Sequence, residues 1–290
     1  MERDLGITFA GGGNRCFYQL GLLNAWPREL WERVAGVATC SAGACVAITY
    51  FSGRADETHA YWCERCRGVT SNFDWAKLVR GERPAPQYAI YRDTMRHMLA
   101  DGGLERVRAL PFPVLILAAR LPRGVPAGAA VLLALAAYQL EKRVRPQMIH
   151  PTWGRAVGFT PEVIDARDCR DVDGLADAIL ASSATPPFTP VASLGGRRLL
   201  DGGMIDNVPA FLTEGIPGVR RNLVLLSRPY PPGVAGRHGD RLYLAPTRDT
   251  PIERWDYTRP HLLGETIRMG EREAELHAPA LTAFLNGSSR

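Results

Sequence analysis

Apolar residues in this chain alternate between short solid runs and helical spacings. Leu5 to Ala10 (LGITFA) is a compact, β-rich run that stops at Gly11-Gly12-Gly13. Beyond the glycines, Phe17, Leu20, Leu23 and Ala25 recur near helical spacing up to Trp26-Pro27, which predicts a helix. Glu29 to Val34 adds a second helical piece, and Val34 to Thr39 (VAGVAT) reads as a strand. Cys40-Ser41-Ala42-Gly43 then makes a tight turn into small and apolar residues, Ala44 to Phe51, that suit a buried helix. The order is strand, glycine loop, helix, strand, turn, helix. Such alternation predicts an α/β fold with a mainly parallel central sheet.

Residues 54 to 108 are polar and helix-rich, with Trp62, Phe73, Trp75, Tyr88 and Tyr91 as anchors. Pro113 to Ala119 (PVLILAA) is the third strong strand. No formal charge occurs between Arg123 and Glu141. A membrane span needs about 20 apolar residues, and Gly124, Pro126 and Gly128 interrupt this stretch, so it predicts a buried or interfacial helix. Arg198 to Leu200 leads into Asp201-Gly202-Gly203, Asn222 to Leu226 is a further buried strand, and a helix runs from about Pro260 to His277. With no internal repeat and no long linker, residues 1–290 read as one domain, with a motif-bearing core at 5–227 and a C-terminal extension at 228–290.

Composition narrows the function classes. With 46% hydrophobic and 22% charged residues, the chain is neither disordered nor a coiled-coil rod. The net charge of +5 comes almost wholly from arginines scattered along the chain. That lacks the basic stripe with interleaved aromatics expected of a nucleic-acid binder and leaves attraction to anionic lipid headgroups open. The charged start Met1-Glu2-Arg3-Asp4 has no apolar leader, so a cytoplasmic protein with six reduced thiols is expected. Cys63 and Cys66 have C-x-x-C spacing but no second pair at zinc-site distance, and read as ordinary helix cysteines with no metal.

Three motifs carry chemistry. Gly11-Gly12-Gly13-Asn14-Arg15 lies between a strand and a helix, where convergent amides can hold an anion or form an oxyanion hole. The loop lacks the spacing of a dinucleotide site and the lysine of a phosphate-binding loop, and taken alone it reads first as a plain tight turn. Ser41 sits in Thr39-Cys40-Ser41-Ala42-Gly43, a strand-to-helix turn with small neighbours, as a nucleophile elbow or a helix cap. Asp201-Gly202-Gly203 is either a β-turn or a carboxylate placed to take a hydroxyl proton.

Together these motifs resemble the patatin-like phospholipase family. The match is dense over residues 5 to 50 and 178 to 210, and includes Ala181-Ser182-Ser183-Ala184, Pro187, Phe188 and Pro190, and Asp206-Asn207-Val208-Pro209. In two places the chain departs: Thr39 stands where the elbow has a glycine, adding bulk near a strained turn, and Cys16 stands where a glycine often follows the basic residue. The resemblance implies a three-layer α/β/α fold. It also implies acyl-ester hydrolysis of a lipid ester by a Ser-Asp dyad without cofactor, and the apolar stretch from Ala127 to Leu140 with the basic balance suggests peripheral membrane contact. Ser41 would be the nucleophile and Asp201 the base, with Gly11, Gly12 and Gly13 forming the oxyanion hole aided by Arg15.

Alternatives remain at this stage. A Ser-Asp-His triad could draw on His238, His261 or His277, all downstream of Asp201. A catalytically silent lipid- or partner-binding protein on the same fold would follow if Thr39 disables the elbow. The stretch from Ala127 to Leu140 either borders the site and meets lipid or is a core helix; in the second case serine at Leu132 and Leu135 would unfold the protein.

Overall fold

The computed structural model describes residues 3–151 and 153–287, so Met1 and Glu2 of the charged N-terminal run lie outside the described residues. Among these, nine strands form one sheet: β1 (Leu5–Phe9), β2 (Val34–Cys40), β3 (Val114–Arg120), β4 (Thr160–Asp165), β5 (Ala192–Leu194), β6 (Arg197–Asp201), β7 (Arg221–Leu225), β8 (Gly236–His238) and β9 (Arg241–Leu244). Their order is β5-β6-β3-β2-β1-β7-β9-β8, with β4 also on β3. β3, β2, β1, β7 and β9 are mutually parallel, while β4 and β6 pair with β3, and β8 with β9, antiparallel. The longer helices are α1 (Phe17–Ala25), α2 (Ala42–Phe51), α3 (Ala55–Cys66), α4 (Gln87–Leu99), α5 (Ala127–Val144), α6 (Val172–Ser182) and α7 (His261–Leu285).

A strand buried on both faces has no polar face to show, which is why Leu5–Phe9 is solidly apolar. Leu5, Ile7, Phe9, Val37, Ile116 and Leu223 join one large core with residues of α1, α2, α4, α6 and α7. The opposite face is covered as well: Val224 and Tyr243 pack with Val208 and Ala210, and Leu117, Ala119 and Leu200 pack with Ala130, Ala134 and Phe159. The expected α/β/α layering with a largely parallel sheet is therefore present.

One strand acts as the ruler for the site. β4 occupies one edge of β3 along residues 115 to 120, so β2 and β6 must share the other edge. β2 comes up that edge and ends with Cys40 opposite Leu117; β6 comes down it and ends with Asp201 opposite Ala118. Two strand ends thus meet head-on at consecutive residues of β3, which brings Ser41 and Asp201 together across 160 positions of sequence.

Four readings of the sequence need correction. The helical piece at 29 to 34 is a 3-10 turn, Arg28–Arg33, that ends where β2 begins. Trp75 is no anchor: it is 70% exposed, whereas Trp62 is buried. The C-terminal helix does not stop at His277 but runs through Pro279 to Leu285. Buried Leu281 and Phe284 hold its last turns, and Arg33 and Arg221 donate to the carbonyls of Leu285 and Phe284 at 2.9 and 3.0 Å, capping its end. Finally, α5 does not bury its leucines. Ala130, Ala134, Ala137 and Glu141 form the inward stripe, and Leu132, Leu133, Leu135, Leu140 and Val144 face out. The core-helix reading of this segment fails for the leucines, since its alanines do the packing.

Candidate active site

Ser41 stands alone between β2 and α2 with φ 53° and ψ −133°. A non-glycine residue at positive φ is strained, and the surroundings must impose the conformation. They do so from three sides. The Ser41 amide donates to Ser182 Oγ at 2.7 Å, and that hydroxyl donates to Leu117 O at 2.6 Å. The Ser41 carbonyl accepts from the Ala44 amide at 2.9 Å, starting α2. Gly43 lets α2 run into the end of β1, because a β-carbon there would stand 2.7 Å from Ala10 O and 2.8 Å from Phe9 O. Thr39, the departure at the elbow, is accommodated: its side chain is buried and its hydroxyl donates to Leu115 O at 3.0 Å. Cys16 is likewise absorbed, donating to Ala10 O at 3.3 Å, with burial pushing its thiol up to about 12.

The Ser41 hydroxyl makes no helix-capping bond. It donates instead to Asp201 Oδ2 at 2.8 Å. Asp201 is fixed in turn by the Gly203 amide on Oδ1 at 2.7 Å and by its own amide on Ala184 O at 2.8 Å. The Gly202 amide donates to Ser182 O at 3.0 Å, so one residue, Ser182, braces both the elbow and the acid. Burial raises the Asp201 carboxyl above the usual carboxylate range, against the opposing pull of the Arg254 charge and of hydrogen bonds from Gly203, Ser41 and Thr185. Desolvation of this kind makes a carboxylate a better proton acceptor.

Of the three glycine amides in the loop, one is already bonded within the fold. The Gly11 amide donates to Asn207 O at 2.9 Å, and the Gly11 carbonyl accepts from Asn207 Nδ2 at 3.0 Å and Ser227 Oγ at 2.8 Å. Gly11 is thus tied into the fold through both its amide and its carbonyl. The amides of Gly12 and Gly13 have no acceptor among the described residues. Gly13 has φ 61°, and a β-carbon on it would fall 2.1 Å from Arg254 O, so the loop closes only with glycine there. The Arg254 carbonyl also takes the Asn14 amide at 3.0 Å. Arg15 turns its Nε back onto Gly12 O at 3.2 Å; it braces the loop from within.

Ser41 opens into a narrow apolar cleft of about 40 Å³ walled by Phe17, Trp62, Tyr91, Met95 and Trp255. The triad alternative finds no support: among the described residues no imidazole bonds Ser41 or Asp201. His277 meets Tyr18 Oη at 3.0 Å, His238 lies in β8 and His261 opens α7. Cys63 and Cys66 lie on α3, and no group of three His, Cys, Asp or Glu side chains among the described residues could hold a metal ion.

Comparison with known proteins places this arrangement. The family model described as patatin-like phospholipase matches residues 7–213, a span that holds the glycine loop, the elbow and Asp201. The chain belongs to the patatin-like phospholipase family. Among solved structures, this patatin-like chain is similar to VipD from Legionella pneumophila, with 12% sequence identity and a TM-score of 0.45. That likeness covers 95% of this chain and 66% of VipD, so the chain spans just under two thirds of that protein's length. No curated protein sequence matches it. Arg254 lies outside the span that the family model matches, and Arg254 and Ser227 gave no signal in the sequence; both touch the glycine loop only through folding of the C-terminal part.

Proposed function

We propose that this patatin-like protein is a lipid acyl hydrolase working through a Ser41–Asp201 dyad. The observation that carries the reading is the 2.8 Å bond from Ser41 Oγ to Asp201 Oδ2, made by a serine held at positive φ beside a buried carboxylate. Ser41 Oγ attacks the ester carbonyl carbon and passes its proton to Asp201. The negative charge that develops on the carbonyl oxygen is met by the Gly12 and Gly13 amides; losing one such donor in comparable sites costs about two to three powers of ten in rate. The tetrahedral adduct collapses, and the leaving alkoxide takes the proton from Asp201 to depart as the alcohol. Water then gives a proton to Asp201, attacks the acyl-enzyme and releases the fatty acid, and Ser41 recovers its proton.

Two further features support lipid as the substrate class and a membrane surface as the place of contact. The cleft at Ser41 is walled by apolar side chains. On α5, exposed Leu132, Leu135, Leu140 and Val144 stand beside Arg143, an apolar surface with a cation at its edge that suits an anionic bilayer. No helix among the described residues is long and apolar enough to cross a membrane. The family-matched span and the C-terminal extension share one sheet through β7, β9 and β8, which supports reading the chain as one domain. Release of fatty acid from defined lipid esters tests the function: the parent protein is expected to liberate it and Ser41→Ala is not. Equal release by both would overturn the reading.

A further inference from the structure

A second cavity, of about 120 Å³, shares the glycine loop with the Ser41 cleft. Gly11 and Gly12 line it, Gly13 lines the cleft, and Arg254 lines both. The wall between them is thin, since a β-carbon on Gly11 would stand 3.1 Å from the Ser41 Cβ. The two spaces differ in chemistry. Five cationic side chains line the second cavity, Arg15, Lys142, Arg145, Arg228 and Arg254, and no carboxylate does.

These cations are poorly neutralised. Among the described residues, the only carboxylate in ion-pair contact with any of the five is Glu141, 3.8 Å from Arg145, and that carboxylate also accepts the Trp153 amide at 2.9 Å. Arg15 is bonded to a backbone carbonyl, and Arg228 to Tyr230 Oη at 3.1 Å and Met148 O at 3.5 Å. Arg254 lies over the Trp255 ring at 5.0 Å, and its buried Nε has no hydrogen-bond partner among the described residues. Asp201, a buried carboxyl that feels the Arg254 charge, is held by Ser41 and Gly203. Burial, and after it the charge of Arg254, lowers the affinity of Arg15 for its proton. Like charges gathered in a partly desolvated space raise one another's energy, and a bound anion relieves them.

We infer that this cavity takes a phosphate group on the leaving-group side of the ester, and that its charge selects a phosphate monoester over a zwitterionic phosphodiester. The inference rests on the Ser41–Asp201 reading, with the acyl chain in the apolar cleft and the leaving group across the glycine loop. A monoester carries close to two negative charges at neutral pH and offers three oxygens to guanidinium forks. A choline arm would add a cation to a cavity that already holds five, in a space sized for a group of a few heavy atoms.

Matched lipids with one acyl chain and one ester test this: monoacylglycerol phosphate, monoacylglycerophosphocholine and uncharged monoacylglycerol. The parent protein is expected to show kcat/KM about tenfold or more higher on the phosphate monoester than on the choline lipid, the effect of one charge-assisted contact. Lys142→Gln combined with Arg228→Gln is expected to bring that ratio toward one, chiefly through KM. Comparable rates on all three lipids would overturn the inference and leave the hydrolase reading standing. A binding arm decides the inference without turnover: monoacylglycerol phosphate and inorganic phosphate are titrated by calorimetry into Ser41→Ala and into the same protein carrying both glutamines. Tighter binding of the lipid than of inorganic phosphate, weakened by the glutamines, supports it. Inorganic phosphate binding as tightly as the lipid would make this a free-anion site, and binding unchanged by the glutamines would place the lipid elsewhere; either overturns it.

Discussion

Ser182 holds Ser41 in place: its hydroxyl accepts the Ser41 amide at 2.7 Å and donates to Leu117 O at 2.6 Å. The bond matters because Ser41 sits at φ 53°, a conformation that relaxes unless something imposes it. Ser182→Ala leaves a buried amide and a buried carbonyl unpaired, which costs about 1–3 kcal/mol of stability. Its effect on catalysis is expected to be about tenfold or more in kcat with little change in KM, because elbow geometry and not substrate binding is disturbed. Steady-state kinetics on a short-chain ester, with thermal unfolding alongside, check both parts.

The dyad predicts a definite pH profile. Only the carboxylate form of Asp201 can take the Ser41 proton, so kcat/KM should fall as pH drops through the raised pKa of that group. The acid limb is therefore expected above the ordinary carboxylate range, near 4. The Arg254 charge holds that pKa down, so Arg254→Gln should move the limb to higher pH. A shift to lower pH would show that Arg254 does not act on Asp201 through its charge.

The same group has a stability signature of opposite sense to the usual paired carboxylate. Its folded pKa lies above its unfolded one, so the folded state holds the proton more tightly and loses stability as pH rises through that window. Asp201→Asn is expected to unfold at a higher temperature than the parent at neutral pH, with the difference shrinking in acid. Lower stability of Asp201→Asn at neutral pH would contradict the burial argument.

Serine at Leu132 and Leu135 separates a core helix from a lipid-facing one. Leu132 is 70% exposed and Leu135 37%, so the double change should alter stability by no more than about 1 kcal/mol. Binding to anionic liposomes should weaken severalfold, measured by co-sedimentation.

Much of the site was legible because its motifs are local. The run Leu5 to Ala10, the glycines and the Ser41 turn lie close together in sequence; each motif alone also read as a turn or cap, and their joint resemblance to the family picked out the site. The strands at 34–40, 114–120 and 221–225 were readable as solid apolar runs, since a sheet covered on both faces leaves them no polar side. β4 was not, because its residues are largely exposed or half-buried and it pairs on the outer edge of β3. Nor were Ser227, Arg254 and the bond that occupies the Gly11 amide: each reaches the glycine loop from more than 190 positions away, through contacts that only the folded sheet creates. The exposed apolar side of α5 lay in an even apolar composition, where nothing marked the alanines as the packing stripe.

The most direct test of the dyad is covalent labelling of the purified protein by a fluorophosphonate serine-hydrolase probe, beside Ser41→Ala and Asp201→Asn. A Ser41–Asp201 dyad predicts stoichiometric labelling of the parent, none of Ser41→Ala, and labelling of Asp201→Asn slower by orders of magnitude. Unreactive parent protein that is well folded, or labelling that survives Ser41→Ala, would contradict it.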